Sequence, residues 1–283
     1  MPCASAADSS PITDSLIVRA LLGALGAGVV AAFARRAGML TRGGQWAAFA
    51  TGIVATAAGW DWAALLVAYF VVSVLLTRAG WEAKRAAVRE VLPMQGERNA
   101  TQVAANGGLF ALLVFVGDLR GEPLLLVAGL GAIAAAAADT WATEVGLLWG
   151  GEPRSIVTAL TVRRGESGGV TLAGLGASAA AALGFAAASH VLIPVRSGAG
   201  GATMMAVALG ALGGSLADSV LGAMLQSNRW CDNCRMWTER RVHTCKYRTR
   251  HARGVRWMTN DTVNFLATVI GALVSLTVLG WLT

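Results

Sequence analysis

Apolar residues in this chain fall in long unbroken stretches and do not alternate with polar ones. The runs occupy residues 15–34, 45–60, 62–77, 103–117, 123–149, 168–193, 203–226 and 262–282. A helix on the surface of a soluble protein keeps a polar face at a 3.6-residue period; these runs have none. Most reach or approach the ~20 residues that carry a helix across ~30 Å of hydrocarbon. The second and third are short and separated by Trp60-Asp61-Trp62, which predicts a tight hairpin with tryptophans at the membrane interface. The pattern predicts an all-α fold, a polytopic membrane bundle of about eight transmembrane helices forming one integral membrane domain over residues 1–283.

Composition agrees. The chain is 55% hydrophobic and 14% charged, with a mean hydropathy of +0.57, whereas soluble domains carry about 25% charged residues. Its 35 glycines suit close packing of membrane helices through small side chains. Charge then orients the bundle. Of 23 basic residues, all but Arg19, Arg120 and Arg196 fall in alternate loops, with a dense group between Arg229 and Arg256. Positive charge marks the cytosolic side, so both termini are expected outside and the active surface is expected to face the cytosol from the inner (plasma) membrane. The net charge of +7 thus reads as topology. It also attracts anionic lipid head groups and nucleotides; nucleic acid is the weaker reading. The first fourteen residues lack a basic segment, so the first run reads as a retained helix, not a cleaved signal.

The outer loops are short and the inner ones long, which puts the chemistry on the inner side. Residues 79–98 read as an amphipathic helix along that surface, stopped at Leu92-Pro93, or as a solvated connector. Residues 227–259 form a basic Cys/His hairpin. A faint internal echo pairs Asn106-Gly107-Gly108 and Asp139 with Ser167-Gly168-Gly169 and Asp218; duplication and chance both remain open.

Four acids stand in or at the ends of the apolar runs: Asp139, Glu144, Asp218 and Asp261. A charge within the bilayer costs ~2.5–3.5 kcal/mol on insertion scales, so each needs a partner. All four fall at inner ends, which predicts one shared site. Thr140 and Glu144 share a helix face. Gly210, Gly214, Asp218, Gly222 and Gln226 recur every four residues, allowing another backbone to approach both sides of the carboxylate. Asn260 and Asn264 share a face near Asp261, and Gln102 and Asn106 begin the fourth run. Carboxylates with amide oxygens are a Mg²⁺ ligand set. Arg163 and Arg164 precede Ser167-Gly168-Gly169 and Thr171, expected at a helix N-terminus, an arrangement that binds phosphate. Arg98 adds a cation at the start of the fourth run.

Cys231, Cys234, His243 and Cys245 are spaced C-x2-C and H-x-C within the last inner loop. Two close ligand pairs suit structural Zn²⁺; the competing reading is an unmetallated hairpin whose cysteines pack. A reducing cytosol disfavours disulfides.

The segments "GERNATQVAANGG", "ADTWATEVG", "VRRGESGGVTLAG", "GGSLADSVLGAMLQ" and "RGVRWMTNDTVNFLAT" lie in order between Gly96 and Thr268. In them the chain resembles the phytyl-phosphate kinases of tocopherol synthesis and their transmembrane relatives. The resemblance implies a membrane enzyme that phosphorylates an isoprenyl monophosphate, with CTP as donor, to the diphosphate. It places Asn106, Asp139, Glu144, Asp218, Asn260 and Asp261 in the matching motifs. Competing readings are a cation- or proton-coupled transporter or lipid flippase, a CDP-lipid-forming cytidylyltransferase, and a scaffold that recruits a partner through the basic hairpin. Self-association as a homo-oligomer is left open.

Overall fold

A computed structural model describes residues 16–92, 96–192 and 200–283. The N-terminal fourteen residues, Pro93 and Arg196, each used in the sequence reading, lie outside these. In order the chain forms α1 (Leu16–Arg36), α2 (Arg42–Ala58), α3 (Trp60–Arg78) and the short α4 (Trp81–Val88). Next, α5 (Ala100–Val103) runs through a π-helical turn at Ala104–Gly108 into α6 (Leu109–Arg120), followed by α7 (Pro123–Trp149). The remaining helices are α8 (Leu172–Leu192), α9 (Gly200–Met224) and α10 (Asn260–Leu282). Two small antiparallel sheets sit between helices. One pairs β1 (Arg154–Ser155) with β2 (Gly169–Val170). The other joins β3 (Asn228–Cys231), β4 (Met236–Thr238) and β5 (Arg250–Arg253) in the order β4-β3-β5.

Among the described residues, seven segments are long and apolar enough to cross a membrane, the α5–α6 unit counting as one. The expected eighth, α2, has 17 residues and therefore a length of only about 26 Å at ~1.5 Å per residue. It still runs antiparallel along α1. Arg19, near the start of α1, donates to the Ala58 carbonyl at the end of α2 (2.8 Å) and pairs with Asp118 at the end of α6 (3.2 Å). At the opposite end, the α1–α2 connection bonds to the strand-like segment before α5. Thr41 N–H donates to Arg98 O (3.0 Å), and Arg98 N–H donates to Met39 O (2.9 Å). Arg78, at the end of α3, reaches the Ala37 carbonyl at that same end. The bundle thus has one end rich in side-chain bonds, where α1, α3, α7 and α9 finish and α2, α5, α8 and α10 begin.

The centre is α7. Every residue from Val127 to Ala138 is buried, and nine of these twelve are Gly or Ala. This narrow surface lets α9 and α10 approach to backbone contact. A methyl group built on Gly214 of α9 would strike Ala135 of α7 and the Ala267 carbonyl of α10. Small residues at a three-helix seam are how membrane helices gain dispersion contacts without a hydrophobic driving force. Leu25, Phe33, Leu172 and Trp281 face outward, where lipid satisfies them.

Two local expectations differ. The helix expected over 79–98 is only Trp81–Val88 long, and its Lys84 turns inward, fully buried. Ser167-Gly168-Gly169 is not a helix N-terminus: Gly168 has φ +80, outside the helical region, and Gly169 belongs to β2. The helix opens three residues further on, where the Thr171 hydroxyl accepts from Gly174 N–H (3.1 Å).

Candidate functional site

The buried alanine run of α7 stops at Ala138, and the next residue is Asp139. The close α7–α9 seam brings Asp218 near enough for the two carboxylates to interact electrostatically. Asn264 of α10, with its amide oriented to donate, bonds Asp218 Oδ2 (3.0 Å) and the Asn260 carbonyl (3.1 Å). Three helices therefore converge on one polar point.

That point is a wall between two cavities. The first, about 140 Å³, is lined by Arg164, Ser167, Gly168, Gly169, Thr171, Gln226 and Glu239 besides the wall. The second, about 230 Å³, is lined by Arg78, Arg98, Gln102, Asn106, Glu144 and Asn264. Asp139, Thr143, Asp218 and Asn260 line both. Arg98, Gln102 and Asn106 also close one end of a third space, an apolar groove of about 600 Å³ between α1, α2 and α3.

The predicted residues separate into distinct environments. Asp139 and Asp218 occupy the shared wall with Asn260. Glu144 faces the second cavity but is already engaged: Lys84 Nζ donates to it at 2.5 Å and Thr77 Oγ1 at 2.6 Å. Asp261 lines neither cavity and accepts from the Thr101 hydroxyl. Arg98 lies over the Phe70 ring, 5.8 Å from its centroid. Gln102 forms a capping box with Asn99, its side chain accepting from Asn99 N–H (3.0 Å). Arg164 joins the first cavity, where its Nε donates to the Gly151 carbonyl (3.0 Å). Arg163 is exposed and lines neither cavity. Gly168 is required twice over, by its positive φ and because any side chain would meet Ala223 and the Ser219 carbonyl of α9. Gly222, from the four-residue stripe, packs against the same loop.

Two residues escaped the sequence reading. Lys84 looked like part of a surface helix, and its partner is sixty residues away. Glu239, at the end of β4, looked like one acid among many cations. Its Oε1 accepts from Ser167 Oγ and from Gln226 Nε2, both at 2.7 Å. Burial pushes its carboxyl up from 4.5 to about 6, the two hydrogen bonds oppose that, and Asp261 adds to it. Nothing local in the sequence marks Glu239, because its position is set by bonds from residues 238–240 to residues 89–92. Apart from the cavities, Cys231, Cys234, His243 and Cys245 gather in the β3–β5 hairpin. His243 bonds to Cys245 and pulls its thiol down to about 6, while sharing with Cys245 pushes the Cys234 thiol up to about 11.

No solved structure matches the chain. Among curated proteins it is 31% identical over 234 residues to Protein PGR of Arabidopsis thaliana, covering 75% of this chain and 80% of that one. It is 29% identical over 244 residues to an uncharacterized membrane protein of Synechocystis, with 84% and 82% covered. A membrane protein of Methanocaldococcus jannaschii, also uncharacterized, is 27% identical over 221 residues, with 76% and 75% covered. Residues 25–272 match the integral membrane protein family DUF92, and with the membrane-spanning bundle and these relatives, the chain belongs to that family.

Proposed function

We propose that this protein is a membrane kinase that transfers the terminal phosphoryl group of a nucleoside triphosphate, CTP by the resemblance noted above, to an isoprenyl monophosphate. The observation that carries the reading is the wall shared by two cavities, with Asp139 and Asp218 in it, one side glycine-lined with Arg164, Glu166 and Glu239, and the other holding Arg78 and Arg98 and continuous with an apolar groove. A groove of about 600 Å³ lies within the ~300–1,000 Å³ range of small-ligand sites and suits a branched hydrocarbon tail. Arg98, Gln102 and Asn106, where groove and second cavity meet, would hold the monophosphate of that lipid. The nucleotide phosphates would enter the first cavity, where Arg164 supplies charge and Ser167, Gly168 and Gly169 allow close backbone approach.

Two carboxylates beside amide oxygens fit Mg²⁺, with Asp139 and Asp218 as its protein ligands. When bound, the ion would neutralise charge developing on the phosphates of donor and acceptor. The protein's own residues position the partners. An acceptor phosphate oxygen attacks the terminal phosphorus, the bond from that phosphorus to the β-phosphate oxygen breaks, and the nucleoside diphosphate leaves. An acceptor that is already anionic needs no strong base, so alignment and electrostatics supply the rate. With the basic end placed inward by its charge, catalysis would occur on the cytosolic face.

The test is purified protein in lipid nanodiscs with Mg²⁺, phytyl or geranylgeranyl monophosphate, and CTP labelled at either the α or the γ phosphate. The proposal expects γ label in an isoprenyl diphosphate. The α label in a CDP-lipid identifies a cytidylyltransferase instead, and label in neither product rejects both.

A further inference from the structure

The β3–β5 hairpin reaches the two cavities at the Asp139–Asp218 wall only through Glu239, yet it contains the densest cluster of soft ligands among the described residues. Cys231 ends β3, Cys234 lies in the following turn, and His243 and Cys245 come from the loop between β4 and β5. One ligand atom from each lies within 4.8 Å of all the others. Cys231 Sγ and Cys245 Sγ are 3.7 Å apart, and His243 Nδ1 is 3.3 Å from Cys245 Sγ. A disulfide would need ~2.05 Å between sulfurs. Ligands on one tetrahedral zinc, with Zn–S ~2.3 Å, stand about 3.8 Å apart. Both loops are shaped for this convergence: Arg235 and Lys246 adopt positive φ (50 and 66), which folds each ligand pair back on itself. Cys231 and His243 are buried, and Cys234 sits on the exposed rim.

We propose that Cys231, Cys234, His243 and Cys245 bind one structural Zn²⁺ in a closed three-sulfur, one-nitrogen tetrahedron. Zinc is the metal that this ligand set and geometry favour, and four protein ligands leave no open position for substrate. Zinc binds all three sulfurs as thiolates, and the protons that remain on them go to solvent. The ion's purpose follows from what else the hairpin holds. Thr238 Oγ1 donates to Glu90 O (2.9 Å), Glu239 N–H donates to Val91 O (2.9 Å), and Arg240 donates to Arg89 O (3.1 Å) and Leu92 O (2.8 Å). A sheet this small has no hydrophobic core of its own, so a metal staple is what keeps it rigid enough to present Glu239 to Ser167 and to hold the end of α4.

The test reads metal, not catalysis, so its outcome is independent of the kinase reading. The full-length protein, purified without a polyhistidine tag, is assayed by inductively coupled plasma mass spectrometry and zinc-edge X-ray absorption. The expected result is one zinc per chain with three sulfur and one nitrogen neighbours. Cys234→Ser, at the exposed rim, should lower zinc content at least several-fold while the protein still elutes as a single folded species; Cys3→Ser should keep it. Should Cys234→Ser fail to fold, mercurial titration of the wild type in the presence of a zinc indicator replaces it, releasing one zinc as the thiols are modified. A metal-free protein, an oxygen-rich zinc shell, iron in place of zinc, or a Cys231–Cys245 disulfide would each overturn the assignment.

Discussion

Replacing Lys84 by Met isolates the lock between α4 and α7. Lys84 is completely buried, its partner Glu144 is 12% exposed at the side chain, and the two charges stand 2.5 Å apart. Lys84 also donates to the Leu76 carbonyl (2.6 Å) at the end of α3, so one ammonium ties three helices. Methionine keeps the stem's length but removes both bonds and leaves Glu144 with Thr77 alone. Removing one member of a buried pair costs ~3–5 kcal/mol; the lower figure applies here because Glu144 keeps some access to water. At ~2–4 °C per kcal/mol for a chain of roughly this size, Lys84→Met should lower the midpoint by roughly 6–12 °C. The double variant Lys84→Met, Glu144→Leu removes the orphaned carboxylate and should recover at least half of that loss. Thermal unfolding in nanodiscs, followed by tryptophan fluorescence, measures both. A single variant within about 2 °C of wild type, or a double variant no better than the single, would refute the lock. The double variant should also keep phosphoryl transfer, since Glu144's oxygens already serve Lys84 and Thr77.

Other expectations follow from the same geometry. Asp139→Asn should abolish turnover, a loss of at least ~10³-fold if it carries the metal, with an unchanged unfolding midpoint. Gly26 lines the apolar groove, and a methyl group there would meet nothing within 4 Å; Gly26→Phe should therefore raise KM for long isoprenyl monophosphates more than for short ones, with kcat preserved. Glu239, held at about 6 against 4.5 unfolded, favours its neutral form in the fold. Its contribution to stability is complete below pH 4.5 and disappears as pH rises through 6, so wild type should lose stability across that window relative to Glu239→Gln, measured without added Mg²⁺ or chelator. Removing free Mg²⁺ by gel filtration without chelator should stop transfer, and adding it back should restore it.

Asp139 and Asp218 were legible because a carboxylate inside an apolar run has few bland explanations, and the four-residue glycine stripe around Asp218 marked the seam that joins them. The role of Glu144 was less legible, since nothing local announces a lysine sixty residues earlier as its partner. Asp261 shared the expected depth but not the cavity, because a helix's first turn can present its acid outward, here to Thr101. Ser167-Gly168-Gly169 showed its composition but not its conformation: a glycine-rich entry reads the same whether it begins a helix or turns with positive φ. Glu239 required the bonds from residues 238–240 to residues 89–92 beyond α4, which are long-range and invisible to periodicity. Helix counting worked to within one element, α2 being a full partner of α1 at less than full membrane length.

The central claim is that phosphate chemistry occurs across the wall made by Asp139 and Asp218. The most direct measurement is single-turnover transfer of γ label to isoprenyl monophosphate by wild type, Asp139→Asn and Asp218→Asn in one nanodisc preparation. The account predicts rapid labelling by wild type and none above background by either folded variant. Labelled lipid diphosphate formed at the wild-type rate by either one would contradict it.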